Sequence, residues 1–422
     1  MVAWLIIGGG IQGTYLSHLL VQQCGIEREN VCVLDPYETP LAAWNRNTRN
    51  CGMHFLRSPA THHIDIPVLS LYRFAKPLAL ASRQMAHFIP PYNRPSLALF
   101  QKHCTHVIRN FRLSDLRITG RALALHKNRQ SITAETSAGR IETRNVILAL
   151  GFGEQPCWPS WARRLKQAGA RIDHIFDQEF RSSDIPGAYK SVVVVGGGLS
   201  AVQTALMLSK RLDGAVRLLS RHDLRESQYD FDPCWIGPKC LREFYRQDFG
   251  SRRETVDRSR VIGSLPAEVI QEFRSALAAM RLRFQKARIR SAQREGHRIR
   301  LDTEGGTVRA DAVVLATGFH SKRPGGNFID QVVKEFGLKC GPCGYPIIGE
   351  DLRWSANIFV TGPLAELQLG PCARNIIGAR NAGRHLLKVL GPRHSAANAL
   401  TTGTASQTDL TITRGYFNKT VC

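Results

Sequence analysis

Long hydrophobic runs are missing from this chain. No stretch approaches the roughly 18 uninterrupted apolar residues that a membrane-spanning helix requires, so no membrane span is expected. The opening MVAWLIIGGG lacks a basic segment and a small-residue cleavage site, and its apolar run is short. It is therefore expected not to act as a secretory leader, and the chain is expected to be cytoplasmic. Acidic residues are scarce as well: 34 Asp and Glu stand against 57 Lys and Arg, for a net charge of +23. Such an excess invites a nucleic-acid partner. The densest basic stretch, RLRFQKARIRSAQREGHRIR at 281–300, argues against one, because Phe284 is its lone aromatic and cannot make a base-stacking platform. Its charged and apolar residues alternate as in a strand with one solvated face, and the field suits a small anionic ligand. Apart from Cys340 and Cys343, the eleven cysteines are scattered singly. They are expected to be buried thiols in a reducing compartment, with no disulfide framework. His62 and His63 are too close together to oppose each other across an ion, and no third ligand is suitably spaced, so no metal is expected.

Two glycine loops stand out instead. In AWLIIGGGIQGTYLSHLL a strand ends at Ile7, the turn holds Gly8, Gly10 and Gly13, and Ile11, Tyr15, Leu16, Leu19 and Leu20 make one helix face. Such a turn lets backbone approach a pyrophosphate, and the helix start attracts the anion. The next strand, VCVLD, ends in Asp35, a little beyond the roughly 20-residue offset of a carboxylate that binds a ribose diol. KSVVVVGGGLSAVQTALML repeats the design with Gly196, Gly198 and Ala201 in the small positions and Leu199 and Ser200 opening the helix. Its following strand ends in Ser220 and Arg221 where the first ended in an acid. A carboxylate repels a 2′-phosphate and a guanidinium can hold one, so the second loop is expected to prefer NADPH to NADH.

Each loop is followed by a meander of three short strands, at 123–152 and 289–319, closing on Leu-Ala-x-Gly-Phe. Repetition of a whole unit predicts an α/β fold with two related Rossmann-like, three-layer dinucleotide-binding domains. The second, 155–325, is inserted into the first, 1–154 with 326–391. The polar stretch 392–422 lacks periodicity and is expected to be a disordered tail.

These loops, with WNRNTRNCGMHFLRSP (44–59), YDFDPCWIGPKCLREF (229–244) and IFVTGPLAELQLGPCARNIIGARNAGRHLL (358–387), resemble the flavoproteins with two dinucleotide-binding domains. The chain looks most like the flavin-dependent monooxygenases that N-hydroxylate lysine or ornithine, and their relatives that bind FAD and NAD(P). The resemblance implies FAD at Gly8, Gly10, Gly13 and Asp35, with Trp44, Arg57, Ser58, Gly362 and Pro371 facing the flavin. It implies NADPH at Gly196, Gly198, Leu199, Ser200, Ala201, Ser220, Arg221, Thr317 and Gly318. A turn at Gly362-Pro363 and a helix starting near Gly370-Pro371 would aim backbone N–H groups at the pyrimidine edge of the isoalloxazine.

The implied activity is monooxygenation of a small amine or amino acid with dioxygen and NADPH, through an oxygenated flavin. Arg57, as a fixed positive charge, and His54 are the side-chain candidates for catalysis. One departure narrows the class: the F-x-G-x-x-x-H signature of flavin monooxygenases is absent around His174, in KQAGARIDHIF. A disulfide or quinone reductase on the same scaffold, and a non-catalytic nucleotide-bound regulator, remain as alternatives. Cys340-Gly341-Pro342-Cys343 looks like a redox dithiol. The Gly344-Tyr345-Pro346 that follows does not suit a helix start, so a turn is expected there and not a redox pair.

Overall fold

The computed structural model describes residues 1–81, 87–212 and 214–391; the stretch 392–422, expected to be a tail, lies outside the described residues. Apolar, β-branched segments pair into two sheets with parallel centres, the first of them extended by antiparallel strands at Arg353–Ser355, Ala122–Lys127 and Ile132–Thr136. The first runs, in order, Ile358–Val360, Gly139–Leu148, Val2–Ile7, Val31–Asp35 and Arg117–Thr119, every neighbouring pair being parallel. Chain that follows the second nucleotide unit thus returns to extend the first sheet. The second sheet runs Leu282–Lys286, Val216–Ser220, Val192–Val195, Ala312–Leu315 and Ile172–His174, again all parallel.

Parallel sheets need cover on both faces, and both have it. On one face of the first sheet Leu16, Leu19, Phe100, Val107, Ala379 and Leu386 form a core beneath the helices Ile11–Gln22, Leu97–Asn110 and Ile376–Leu390. Its other face is covered by the hairpin Ala122–Lys127 and Ile132–Thr136 and by the helix Gly326–Phe336. The second sheet lies between the helices Leu199–Ser209 and Ala267–Ala278 on one side and, on the other, helix Ser160–Gln167 with the antiparallel strands Ile289–Glu295, Arg298–Thr303 and Gly306–Ala310. The α/β, three-layer expectation is met in both halves. So is the reading of the basic run: it forms strands whose arginines 290 and 294 are exposed while Ile299 and Leu301 are buried.

Two expectations need correction. Cys234 and Cys240 are joined in a disulfide within the 229–244 segment, where only free thiols were expected; six residues of separation bring their Cα atoms to 5.4 Å, inside the range a disulfide spans. The long closing helix begins at Ile376, not near residue 370. Gly370 adopts φ 72° and ψ −170°, Pro371–Arg374 forms one tight 3₁₀ turn, and Asn375 is extended, so helical geometry resumes only after it.

The two halves are stitched together by side chains. Asn50, at the end of the helix Ala42–Asn50, donates to Ile175 O at 3.1 Å and Phe180 O at 2.9 Å, and its Oδ1 accepts from Ser182 N.

Candidate active site

Both glycine loops lie at the carboxyl ends of their central strands, where this kind of sheet binds ligands. Gly8 has φ 110°, and a Cβ there would meet Ala149 O at 2.5 Å; a Cβ on Gly13 would fall 1.8 Å from Gly8 O. Gly10 is different, because a Cβ there would meet nothing within 4 Å. The helix Ile11–Gln22 starts at Gly10 with no side chain capping its N–H groups. Open space beside unsatisfied donors at a positive helix end fits a pyrophosphate.

The second loop repeats this geometry. Gly196 has φ 153°, with Ala316 O at 2.3 Å from a built Cβ, and Ala201 takes the place of Gly13. Gly198 begins the helix Leu199–Ser209, also uncapped, and the nearest atom to a Cβ there is 3.6 Å away. The residues of both loops therefore fit a dinucleotide. Arg221 is exposed at the rim, as an arginine that receives a 2′-phosphate must be. Ser220 is not available in the same way: it is buried and its hydroxyl donates to His222 O at 2.6 Å, closing the turn behind Gly197. Thr317 donates its hydroxyl proton to Cys157 O and so has none to give a phosphate in that pose, while Gly318 (φ 77°) lines the cavity. His174, bonded to Thr317 Oγ1 at 3.2 Å, is kept neutral, its pKa lowered to about 4 by burial.

One cavity of about 950 Å³ joins the second loop to the closing segment of the first half. Gly196 to Ser200 and Arg221 line one end; Arg57, Asp230, Arg260, Arg374 and Asn375 line the other. Arg57 does not reach in freely. Its guanidinium crosses between the halves and donates to Gln228 O (2.9 Å), Ser227 O (2.8 Å) and Ser264 Oγ (3.1 Å), and burial lowers its pKa. It remains a half-buried positive charge held by carbonyls and a hydroxyl, with no carboxylate in direct contact among the described residues.

The other flavin-facing candidates divide. His54 is exposed and outside the cavity, its carbonyl engaged by Leu97 N, so it is not positioned for proton transfer there. Trp44 packs on Phe100 (ring centroids 5.1 Å apart) as part of the core, and Ser58 is half-buried beside Arg57. Gly362 (φ 62°) packs against Gln12 of the first loop. Gln12 in turn donates to Ala373 O and Asn375 O and accepts from Thr361, so the first loop and the closing segment are bonded directly. Pro371 contributes its carbonyl, which accepts from Arg260 at 2.6 Å.

The centre that sequence reading missed is Glu366. It is fully buried, and its carboxylate accepts from Arg253 (3.1 Å), Arg260 (2.9 Å) and Arg374. Arg260 also pairs with Asp230 at 3.1 Å, and Arg374 lies 4.5 Å over the ring of Phe152. The available signal was one acid within the apolar run FVTGPLAELQLGPC, but its three partners lie 106 to 113 residues upstream and eight downstream.

The cysteine pair is settled by local geometry. Gly341 N donates to Tyr345 O and Gly344 N to Gly341 O, a turn with no helix, and neither Cys340 nor Cys343 lines the cavity. Burial raises the Cys340 thiol, the opposite of activation.

The sequence pattern of one family spans this whole arrangement, matching residues 3–384. The chain belongs to the pyridine nucleotide-disulphide oxidoreductase family. A comparison with curated proteins gave no match in sequence. Among solved structures, this family member shares its fold with the FAD-bound cadaverine monooxygenase of desferrioxamine biosynthesis from Erwinia amylovora: TM-score 0.71, 13% identity, 97% of this chain and 100% of that one covered. It also matches the ornithine N-hydroxylase of Kutzneria sp. 744, solved with reduced FAD, NADP+ and L-ornithine, at TM-score 0.71 and 14% identity over 92% and 99% of the two chains. The bacillithiol disulfide reductase of Bacillus cereus superposes less closely, with TM-score 0.58, 18% identity and coverage of 92% and 98%. This oxidoreductase carries its two glycine loops on two separate sheets. Among its described residues no helix is long and apolar enough to cross a membrane, and no group of His, Cys, Asp and Glu is arranged to hold a metal ion.

Proposed function

We propose that the protein is an FAD-dependent oxidoreductase that uses NADPH, and a monooxygenase of the N-hydroxylating kind acting on a small amine or amino acid. The observation that carries this reading is the shared cavity, lined both by the second glycine loop and by Arg374 and Asn375 of the closing segment. FAD would be held by the first loop and the closing segment, and NADPH by the second loop with Arg221 at its ribose. When bound, NADPH supplies a hydride and FAD accepts it and activates dioxygen. The chain's own task is to position and to exclude water. Phe319, stacked on Phe176 with centroids 4.5 Å apart, and Phe152, which lies under Arg374, line the cavity wall with aromatic surface. The half-buried positive charges of Arg57, Arg260 and Arg374 favour whichever bound group becomes more negative during the reaction. The division at 154/155 and 325/326 and a cytoplasmic location belong to the same reading; eight of the described cysteines are free thiols.

One observation favours a reductase as the second reading. The Cys234–Cys240 disulfide packs on a small apolar cluster that holds Trp235 and Cys372, and Trp235 of that cluster lies against Gly370 of the closing segment. Stopped-flow absorbance separates the two. Anaerobic reduction of the bound flavin by NADPH, followed by oxygen-dependent NADPH consumption coupled to a hydroxylated amine, supports the monooxygenase. Oxygen-independent turnover with a small disulfide favours the reductase, and absence of reduction by NADPH overturns both.

A further inference from the structure

The first glycine loop is covered by an arginine that the sequence reading passed over. Arg117 opens the short strand next to Val31–Asp35, in register with Val33. Its guanidinium lies across the loop, so that a Cβ on Gly9 would fall 2.1 Å from Nη1 and 3.1 Å from the Asp35 Cβ. Nη2 donates to Asp35 Oδ1 at 3.2 Å and to Tyr37 O at 2.6 Å. The side chain is 5% exposed.

Asp35 is correspondingly committed. Its Oδ2 accepts from Gly9 N at 2.6 Å, and its Oδ1 accepts from Tyr37 N at 3.0 Å and from Arg117. A carboxylate has about four acceptor sites, so about one is left, too few for the two hydroxyl donors of a ribose diol. Arg117 has the reverse surplus. Among the described residues nothing accepts from its Nη1 or Nε, and Nη1 is the nitrogen lying over the loop.

We propose that Arg117, and not Asp35, reads the ribose-phosphate end of the dinucleotide in the first loop, while Asp35 holds Arg117 in place. This rests on the reading of that loop as the FAD site. A consequence concerns charge. A bare acid would repel a phosphorylated ribose, whereas an acid neutralised by a guanidinium does not. The first loop is then a donor-rich site that tolerates phosphate on the ribose, even though its strand ends in aspartate.

The test uses the full-length protein, stripped of any bound flavin, and reads FAD uptake by quenching of flavin fluorescence. Arg117→Gln should weaken uptake by about tenfold or more, the loss expected for two charge-assisted hydrogen bonds. Since that variant leaves Asp35 buried without its cation, the double variant Asp35→Asn/Arg117→Gln, which buries no lone charge, should show the same weakening. ADP-ribose and 2′-phospho-ADP-ribose should displace FAD from the wild-type protein with affinities within about threefold of each other, because the acid is already neutralised. Uptake unchanged in both variants overturns the inference alone, as does 2′-phospho-ADP-ribose competing about tenfold more weakly than ADP-ribose, the discrimination a free carboxylate would give. A wild-type protein that takes up no FAD overturns the inference and the reading beneath it together.

Discussion

Arg260 and Glu366 meet at 2.9 Å across the junction of the two halves, with no solvent reaching the carboxylate. Arg253 and Arg374 converge on the same group. A buried acid among three guanidinium groups stabilises little over an apolar core, but removing it strands cations. Glu366→Gln should therefore cost about 3–5 kcal/mol. Urea unfolding midpoints check this; a shift near zero would show that the arginines find other acceptors.

The glycines of the first loop should separate folding from binding. Gly10→Ala meets open space at φ −74°, so its stability should change by less than about 0.5 kcal/mol while FAD uptake falls, because the methyl fills the room left for phosphate. Gly13→Ala drives a methyl to 1.8 Å from Gly8 O, a backbone atom that cannot swing away, and should lower the melting temperature even without cofactor. Equal behaviour of the two variants in thermal melts and flavin titrations would contradict this division.

Acid should unfold the protein through histidines remote from the cavity. His63 and His103 are fully buried, their rings 5.0 Å apart, with His18, Asp65, His106 and Arg380 around them. Burial lowers their pKa values to about 4 and about 3. The unfolded chain binds protons near pH 6.5 and the folded one does not, so stability is present above that pH and is lost as it falls toward 4. Each histidine should contribute up to about 3 kcal/mol to this loss. Melting temperatures between pH 7.5 and 4.5 test it, and a His103→Gln variant should show a shallower decline; a flat profile in the wild type rules the mechanism out.

The Cys340→Ser/Cys343→Ser variant should oxidise NADPH within about twofold of the wild-type rate, because burial raises the Cys340 thiol and neither cysteine lines the cavity. Loss of turnover in steady-state assays would restore the dithiol to the reaction.

Local geometry made most of the fold legible. Gly8, Gly10 and Gly13 follow an apolar strand and precede an apolar helix face, and that order leaves one backbone path, which Gly196, Gly198 and Ala201 repeat. The meanders were readable because period-two alternation and turn glycines act over a few residues. Less of the site was readable. Arg57 was noticed but its partners were not, since carbonyls 170 and 171 residues away leave no mark in composition. His54, a candidate for catalysis in the sequence, is exposed and lies outside the cavity.

The sequence by itself thus determined two glycine turns at strand ends, their α/β setting and an arginine at the rim of the second, because these depend on contacts between near neighbours and on backbone freedom. Only the tertiary structure decided what the charged side chains do. Arg117 lies over Gly9, Asp35 turns inward to hold it, three arginines gather on Glu366, and Cys234 bonds Cys240. Among 57 basic residues any acid has many possible partners. Burial selects among them, since a charge removed from water needs a counter-charge or hydrogen bonds at a distance that only the folded chain sets.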